Sequence, residues 1–257
     1  MATASSPQPL RGTRIVSLAL NLPGPAALMR LAAMGAKCLK VEPPGPGMTP
    51  AGRPISGDPM GQYNIGAYSA LHEGIRVVQL DLKAERGQAQ LARELLRADL
   101  LLTSFRPSAL VKLGLDWKAL RRTYPHLSMV EIVGAPGARA DEPGHDLTYL
   151  ADAGLATGTE MPPTLYADMG GALMASEAVL QALLVRAQTG QGTLLEVALA
   201  ATAPWPSQPL HWGLTPPDGV VAGSHAGYRL DHCPHGRVSV AALGPHFTGR
   251  RCATHEL

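Results

Sequence analysis

An acidic residue about 20 positions beyond a tight loop is the first feature of this sequence that suggests chemistry. Glu42 ends an apolar segment, and a carboxylate at this place can bind a ribose hydroxyl in dinucleotide-binding proteins. Such proteins also need the loop pattern GxGxxG, so that the backbone can approach pyrophosphate. The loop here reads NLPGPA, with one glycine and two prolines. The sequence therefore disfavours dinucleotide binding.

Side chains that can bind metal ions gather towards the end of the sequence. They are His225, Asp231, His232, Cys233 and His235. The spacing HCPH matches no common zinc pattern, and a turn through the proline explains why these residues lie together. We therefore expect no metal site.

The composition excludes several classes of protein. The 257 residues are 46% hydrophobic and 16% charged, which excludes disorder over the body of the chain. The 28 glycines and 23 prolines exclude a helical bundle. The net charge is only +2 and no segment is dominated by Lys and Arg, so we expect no nucleic-acid partner. Residues 197–217 are uncharged but contain five prolines, so we expect no membrane partner.

The cysteines and the first residues indicate the compartment. Cys38, Cys233 and Cys252 share no CxxC spacing, and an odd number of cysteines in a chain of this length is typical of reduced thiols. The start of the chain, MATASSPQPL, lacks the basic and apolar segments of a secretion signal. We expect a cytoplasmic protein in which residues 1–10 form a flexible tail.

Apolar strand patterns alternate with helical patterns along most of the chain. We expect six strands, at residues 14–20, 36–42, 75–82, 98–104, 127–133 and 193–199. We expect helices at residues 26–35, 84–97 and 117–122 and another from near residue 146. A long helix is expected from residue 169 to either Gly190 or Gly192. This alternation predicts an α/β fold, with a Rossmann-like parallel sheet and helices on both of its faces. Residues 43–59 are expected to form an irregular loop over a ligand.

The character of the sequence changes near residue 200. Residues 11–200 are expected to form the large Rossmann-like domain, and residues 201–222 a proline-rich linker. Residues 227–243 read as two strands joined by a turn at 234–236, which predicts hairpin rather than parallel pairing. We therefore expect residues 223–257 to be the start of a smaller second domain.

Five ordered segments resemble the class III CoA-transferase family (CaiB/BaiF type), including its α-methylacyl-CoA racemase branch. They are LNLPGPAALMRLAAMGAKCLKVEPPGPG, LDLK, SFRPSALVKLGLD, GHDLTYLADAG, and ADMGG followed by RAQTGQG. The resemblance implies a smaller domain beside the Rossmann-like one, acyl-CoA and carboxylic acid substrates, and coenzyme A as a substrate carrier with no tightly bound cofactor. It also implies an interlocked dimer. Family members are usually longer, so we expect a homodimer whose subunits need not interlock.

The resemblance implies a nucleophilic role for Asp168. In the transferases the matching aspartate attacks the acyl-CoA thioester, giving a mixed anhydride and then an aspartyl-CoA thioester. Gly170 and Gly171 would allow backbone donors to approach the oxyanion. The alternative is that Asp168 is only the N-cap of the helix that follows.

His145 lies in GHDLTY, which resembles the racemase form of this motif. A racemase needs two bases to move the α-proton between opposite faces, and His145 with Asp168 would supply them. The alternative is a polar loop residue before Asp146. The sequence also departs from the family, because Gly244 replaces the glutamate that supports the histidine in racemases and Ser108 stands where a glycine is usual.

The resemblance also implies residues that bind coenzyme A. They are Leu22, Pro23, Leu80, Asp81, Leu82, Lys83, Ser104, Phe105 and Arg106. Lys83 and Arg106 suit phosphate groups, although either can be a solvated surface charge. We expect a CoA-transferase with an aspartate nucleophile. The alternatives are racemase-like proton transfer and a non-catalytic, CoA-binding relative.

Overall fold

The computed structural model describes residues 7–52 and 54–244. The chain divides into two compact units between Ala203 and Pro204. The strands in chain order are β1 Arg14–Ser17, β2 Lys37–Glu42, β3 Pro44–Met48, β4 Pro54–Ser56, β5 Arg76–Gln79, β6 Leu100–Thr103, β7 Ser128–Val133, β8 Leu194–Ala198, β9 Tyr228–Cys233 and β10 Gly236–Ala241.

The helices are α1 Pro23–Ala33, α2 Pro59–Tyr63, α3 Ile65–Leu71, α4 Glu85–Leu95, α5 Pro107–Leu113, α6 Trp117–Thr123, α7 Asp146–Asp152, α8 Tyr166–Thr189, α9 Leu199–Thr202 and α10 Pro204–His211. A 3₁₀ turn spans Gly137–Arg139. Of these, α2, α3, α5, α9 and α10 were not expected from the sequence.

Six parallel strands form the central sheet of the first unit, in the order β5-β2-β1-β6-β7-β8. Counted among themselves along the chain, these strands lie in the order 3-2-1-4-5-6 of a doubly wound sheet. The predicted Rossmann-like α/β fold is therefore confirmed. The strand order reverses between β1 and β6, and crevices at such points bind ligands at the carboxyl ends of the strands.

Helices cover both faces of this sheet, as predicted. Alternate strand residues point to opposite faces. Ile15 packs with α1 and α8 on one face, whereas Val16 packs with α4, α5 and α6 on the other. The helices thus bury both faces of the sheet, so a ligand site is expected at the carboxyl ends of its strands.

The long helix α8 packs along α1 and β7 within the first unit. It ends at Gly190, whose φ of 70° is the left-handed conformation that commonly terminates helices. By length and composition alone α8 is apolar enough to cross a membrane. Its buried alanines, including Ala172, Ala175 and Ala182, instead join the hydrophobic core, as in a core helix of a globular domain.

The expectation of an irregular loop at 43–59 is wrong in part, because β3 and β4 lie within it and pair antiparallel. Prolines are tolerated in such short edge strands, where a missing N–H is not needed by a neighbour. Gly45 permits the close approach, since a Cβ atom there would lie 1.9 Å from the carbonyl oxygen of Ile55. The segment then ends at Asp58, whose side chain caps α2.

In the second unit β9 and β10 form an antiparallel hairpin, with Gly236 opposite Cys233. This agrees with the predicted turn at 234–236. Residues 201–222 were expected to form a proline-rich linker. The structure corrects this expectation, because the segment contains α10 and the end of α9. Pro204 and Pro206 lie in the first turn of α10, where backbone N–H groups have no intrahelical partner in any case. The domain boundaries themselves stay a prediction.

The expected terminal segments fall partly outside the described residues. Residues 1–6 and 245–257, which include Cys252, lie outside them. Leu10 is already part of the core, since its side chain is buried and its N–H donates to the carbonyl of Met34 at 3.0 Å. The expectation of a flexible tail over residues 1–10 is therefore wrong at Leu10. Cys38 and Cys233 are both free thiols.

Candidate functional site

A cleft of about 300 Å³ lies at the carboxyl ends of the central strands. Its lining residues include Leu20 after β1, Ser104 after β6, Val133 at the end of β7, and Asp168 of α8. The cleft therefore occupies the point at which the strand order reverses, where an open α/β sheet provides a ligand site. All of its lining residues belong to the first unit.

Asp168 lies in the first turn of α8, as its third residue, and lines the cleft. The N-cap position belongs to Leu165, so Asp168 is not the N-cap. The pKa of its carboxyl is raised to about 6, chiefly because burial removes water from the charged form. The Asp146 carboxylate acts in the same direction and His145 in the opposite one. Near neutral pH this carboxylate is ionised and basic for an aspartate.

Asp146 supports the backbone of Asp168. Its Oδ1 atom accepts the backbone N–H of Asp168 at 3.0 Å. This N–H is one of the helix-terminal donors that have no partner inside the helix. Asp146 is 5% exposed, so this contact fixes the start of α8 against the start of α7 inside the protein.

His145 comes directly before α7 and lines the same cleft. The hydroxyl of Thr148 donates to the backbone carbonyl of His145 at 2.6 Å and accepts its N–H at 3.2 Å. These contacts hold the backbone of His145 and leave the exposed imidazole to the cleft. The structure thus places His145 and Asp168 in one site.

Gly170 and Gly171 lie in the second turn of α8, where each N–H faces a carbonyl four residues earlier. Gly171 is needed for packing, because a Cβ atom there would lie 2.3 Å from the Leu199 side chain. A Cβ atom at Gly170 would make only ordinary contact with Thr202, at 3.5 Å. Their expected support of an oxyanion stays a prediction.

Four of the residues expected to bind coenzyme A line the cleft. They are Pro23, Ser104, Phe105 and Arg106. Leu22 precedes Pro23 at the start of α1. The hydroxyl of Ser104 accepts the N–H of Leu20 at 3.0 Å and so joins the loops that follow β1 and β6. Arg106 is exposed, so its guanidinium is accessible to an anionic group.

Residues Leu80 to Lys83 lie elsewhere, after the edge strand β5, and do not line this cleft. Leu80 is buried in the core. The Asp81 carboxylate accepts the backbone N–H of Lys83 at 2.9 Å, which makes the turn into α4. The structure therefore does not bring this segment together with Asp168.

Three cleft residues with polar side chains were missed in the sequence: Asn21, Glu142 and Tyr149. Tyr149 is 6% exposed, and burial, followed by the charge of Asp168, raises the pKa of its hydroxyl. Gly144 makes room for it, because a Cβ atom there would lie 2.2 Å from the Tyr149 oxygen. Gly144 and Tyr149 are the first and last residues of the segment GHDLTY, so this motif was the sequence signal that could have pointed to Tyr149.

Glu42 is not available to a nucleotide. It is 2% exposed, and its carboxylate accepts the hydroxyls of Ser56 and Tyr68, both at 3.0 Å, and the amide of Gln79 at 3.2 Å. The ribose-binding interpretation is thereby excluded, because these internal donors satisfy the carboxylate. Within residues 7–52 and 54–244, no cluster of three or more His, Cys, Asp or Glu side chains has a geometry for a metal ion.

Sequence comparisons with known proteins identify a family for this chain. The model of CoA-transferase family III matches residues 10–257. The chain is 32% identical over 209 residues to a probable fatty acyl-CoA transferase of Mycobacterium tuberculosis, covering 77% of this chain and 52% of that protein. It is 30% identical over 256 residues to human α-methylacyl-CoA racemase, covering 93% of this chain and 62% of that protein.

Solved structures of the same family have a similar fold. A CaiB/BaiF family protein of Brucella suis superposes with a TM-score of 0.76 and 25% identity, covering 97% of this chain and 70% of that chain. The present chain spans about half the length of the first curated relatives that it matches, 52% and 49%. The sequence match, the fold and the cleft lead to one conclusion: this chain belongs to CoA-transferase family III.

Proposed function

We propose that this protein is a CoA-transferase in which Asp168 is the nucleophile. The observation that carries the proposal is the Asp168 carboxylate, which lies in the cleft with a pKa raised to about 6. It is a stronger base than an ordinary aspartate and is still ionised at neutral pH. Arg106 in the same cleft supplies a permanent positive charge for an anionic substrate.

The reaction needs an acyl-CoA donor and a carboxylic acid acceptor. An Asp168 oxygen forms a bond to the thioester carbonyl carbon, the carbon–sulfur bond breaks, and CoA leaves as the thiolate. The thiolate then attacks the aspartyl carbonyl of this mixed anhydride, giving an aspartyl-CoA thioester and the free donor acid. The acceptor carboxylate repeats the sequence in reverse, so that a new acyl-CoA leaves and Asp168 is regenerated.

Coenzyme A would enter along the carboxyl edge of the sheet. Leu22 and Pro23 would contact it from the loop after β1, and Ser104, Phe105 and Arg106 from the loop after β6. The segment from Leu80 to Lys83 would contact its far end, with Lys83 beside a phosphate.

Trapping of the covalent intermediate tests this proposal. The protein is incubated with succinyl-CoA, cinnamoyl-CoA or a fatty acyl-CoA, the donors suggested by its relatives, and then with hydroxylamine. Mass spectrometry should find a hydroxamate at Asp168, with none in Asp168→Asn. Transfer of CoA to a second acid without any hydroxamate would contradict the nucleophilic role.

Racemase-like proton transfer is the second candidate. It is favoured by His145, which lines the same cleft and is close enough to lower the pKa of Asp168. His145 and Asp168 would act as two bases on opposite faces of the α-carbon. Exchange of the α-proton of a 2-methylacyl-CoA in heavy water, lost in His145→Ala, would favour this candidate. CoA binding with neither activity would favour a non-catalytic relative.

We also propose that the protein is a homodimer. Helix α8 exposes apolar side chains, among them Tyr166, Met169 and Leu173, and exposed apolar patches are typical of protein interfaces. Size-exclusion chromatography with light scattering should give twice the mass of the chain. A monomer at micromolar concentration would contradict the dimer.

A further inference from the structure

Asn21 has an unusual backbone conformation at the edge of the cleft. Its φ is 62°, and within residues 7–52 and 54–244 it is the only residue other than glycine with a positive φ. Asparagine adopts this left-handed conformation more readily than most residues, but at a cost that the surrounding structure must offset. Such outliers concentrate at ligand sites.

A buried carboxylate holds this conformation. Asp58 Oδ1 accepts the backbone N–H of Asn21 at 3.0 Å. The next N–H towards the N-terminus, that of Leu20, is held by Ser104. Two successive backbone groups of the loop are thus fixed by side chains from different parts of the chain, which leaves the loop little freedom.

Asp58 is itself held by a buried ion pair. Its Oδ2 atom lies 2.5 Å from Lys40 Nζ, and both side chains have no exposed surface. The Nε2 atom of His72 lies 3.1 Å from the same nitrogen. Charges buried to this degree are costly unless they are paired. Asp58, the acidic member of this pair, is also the residue that accepts the N–H of Asn21 at the cleft.

The side chain of Asn21 is unlike those around it. Asn21 is exposed and lines the same cleft as Asp168. In the part of the chain that the structure describes, its side-chain amide has no hydrogen-bond partner. Leu20, Leu22 and Pro23 beside it carry no polar side-chain atoms. The amide is therefore the polar side-chain group that this loop presents to a ligand.

We propose that Asn21 binds the carbonyl oxygen of the acyl-CoA thioester through its side-chain NH₂, and that Asp58 and Lys40 are positioning residues for it. This inference rests on the function proposed above. A neutral donor suits a site beside an anionic Asp168, because it does not neutralise the nucleophile. Its hydrogen bond strengthens as the thioester oxygen gains negative charge during attack.

Binding of two probes, CoA and acetyl-CoA, separates a thioester contact from general binding. Asn21→Gly removes the amide but keeps the left-handed backbone, which glycine adopts without strain. By calorimetry, we expect the Kd of acetyl-CoA to rise about tenfold in Asn21→Gly and that of CoA less than twofold. Asn21→Asp, which keeps the shape but has no donor, should lose acetyl-CoA binding at least as strongly.

The positioning role is tested by two substitutions at Asp58. Asp58→Asn keeps an oxygen that can accept the Asn21 N–H and should retain most of the preference for acetyl-CoA. Asp58→Ala has no acceptor and should lose that preference as Asn21→Gly does. If either Asp58 variant does not fold, since both remove the charged partner of Lys40, the two Asn21 variants still decide the main claim.

The outcomes distinguish this inference from the proposed function. If native protein binds neither CoA nor acetyl-CoA, the proposed function fails and this inference with it. If both probes bind and Asn21→Gly changes neither Kd, or changes both by the same factor, only the contact with the thioester is overturned. Equal effects of Asp58→Asn and Asp58→Ala would overturn the positioning role alone.

Discussion

The Asp146 carboxylate accepts the backbone N–H of Asp168 at 3.0 Å, so two acidic residues from different helices meet at the start of α8. The contact has two opposite effects. It satisfies a helix-terminal donor, which stabilises α8. It also places a negative charge beside Asp168, which, after burial, is the second cause of its raised pKa.

Replacing Asp146 by asparagine should separate these effects. The amide oxygen of the new side chain can still accept the N–H, but the neighbouring charge is gone, so the pKa of Asp168 should fall below about 6. We expect the acidic limb of the profile of kcat/KM against pH to move to lower pH. Asp152→Asn, on the same helix but exposed, is the control and should leave the profile in place. An unchanged profile in Asp146→Asn would contradict this electrostatic coupling.

Replacing Asp168 by asparagine should abolish activity and stabilise the fold at neutral pH. Because the folded-state pKa is about 6 and the ordinary value 3.8, ionisation costs folding free energy as the pH rises through this range. The penalty is absent below pH 3.8 and complete above pH 6. After a discount for partial exposure and the favourable helix N-terminus, we expect Asp168→Asn to gain about 1 to 2 kcal/mol at pH 8.

Urea unfolding at several pH values measures this gain. It should shrink as the pH falls towards 4. A variant that is less stable than the native protein at pH 8 would show that the carboxylate is favourably bound and that its pKa is not raised.

Ser108 should affect substrate binding through the wall of the cleft. Its hydroxyl donates to Asp141 Oδ1 at 2.8 Å and its N–H to the same atom at 3.2 Å. This ties α5 to the loop that carries Glu142 and Gly144, both in the cleft lining. Ser108→Ala should raise KM a few-fold with little change in kcat, and cost at most about 1 kcal/mol of stability. Ser108→Thr, which keeps the hydroxyl, is the control. Equal KM values in the two variants would contradict a role for the hydrogen bond from the Ser108 hydroxyl to Asp141.

Lys40 should be essential to stability. Lys40→Met leaves the buried Asp58 carboxylate without its partner, and breaking a buried pair in this way costs about 3 to 5 kcal/mol. Lys37→Met, at an exposed position of the same strand, should change stability by less than about 0.5 kcal/mol. Chemical denaturation compares the two. A Lys40→Met protein as stable as Lys37→Met would show that the pair is dispensable.

Much of the fold was predictable from local patterns. The strands around Ile15, Leu101 and Val130 were found because central parallel strands are continuous apolar runs. The end of α8 was found because glycine adopts the left-handed conformation at Gly190. By contrast, β3 and β4 were missed, because their prolines and glycines favour turns locally. Their pairing is supported by contacts that no local pattern shows: the Ser56 hydroxyl donates to Glu42, and the backbone approaches closely at Gly45.

The candidate site was predictable in part. Motif resemblance identified His145, Asp168 and Arg106, and the structure brings all three to one cleft. Asn21 was passed over because its importance depends on a backbone angle and on a contact with Asp58, 37 residues away in the sequence. The segment Leu80 to Lys83 belonged to the same resemblance but lies after a different strand, and its role stays a prediction.

The sequence by itself determined the alternation of strands and helices, the parallel sheet and the residue types available for the proposed thioester chemistry. These features depend on local apolar periodicity and on motif order. Only the tertiary structure decided that Asp146 lies against Asp168, that Lys40 and Asp58 form a buried pair, and that Glu42 is enclosed. Such features depend on burial and on contacts between distant segments, since a charge has a shifted pKa only where folding removes its water and chooses its neighbours.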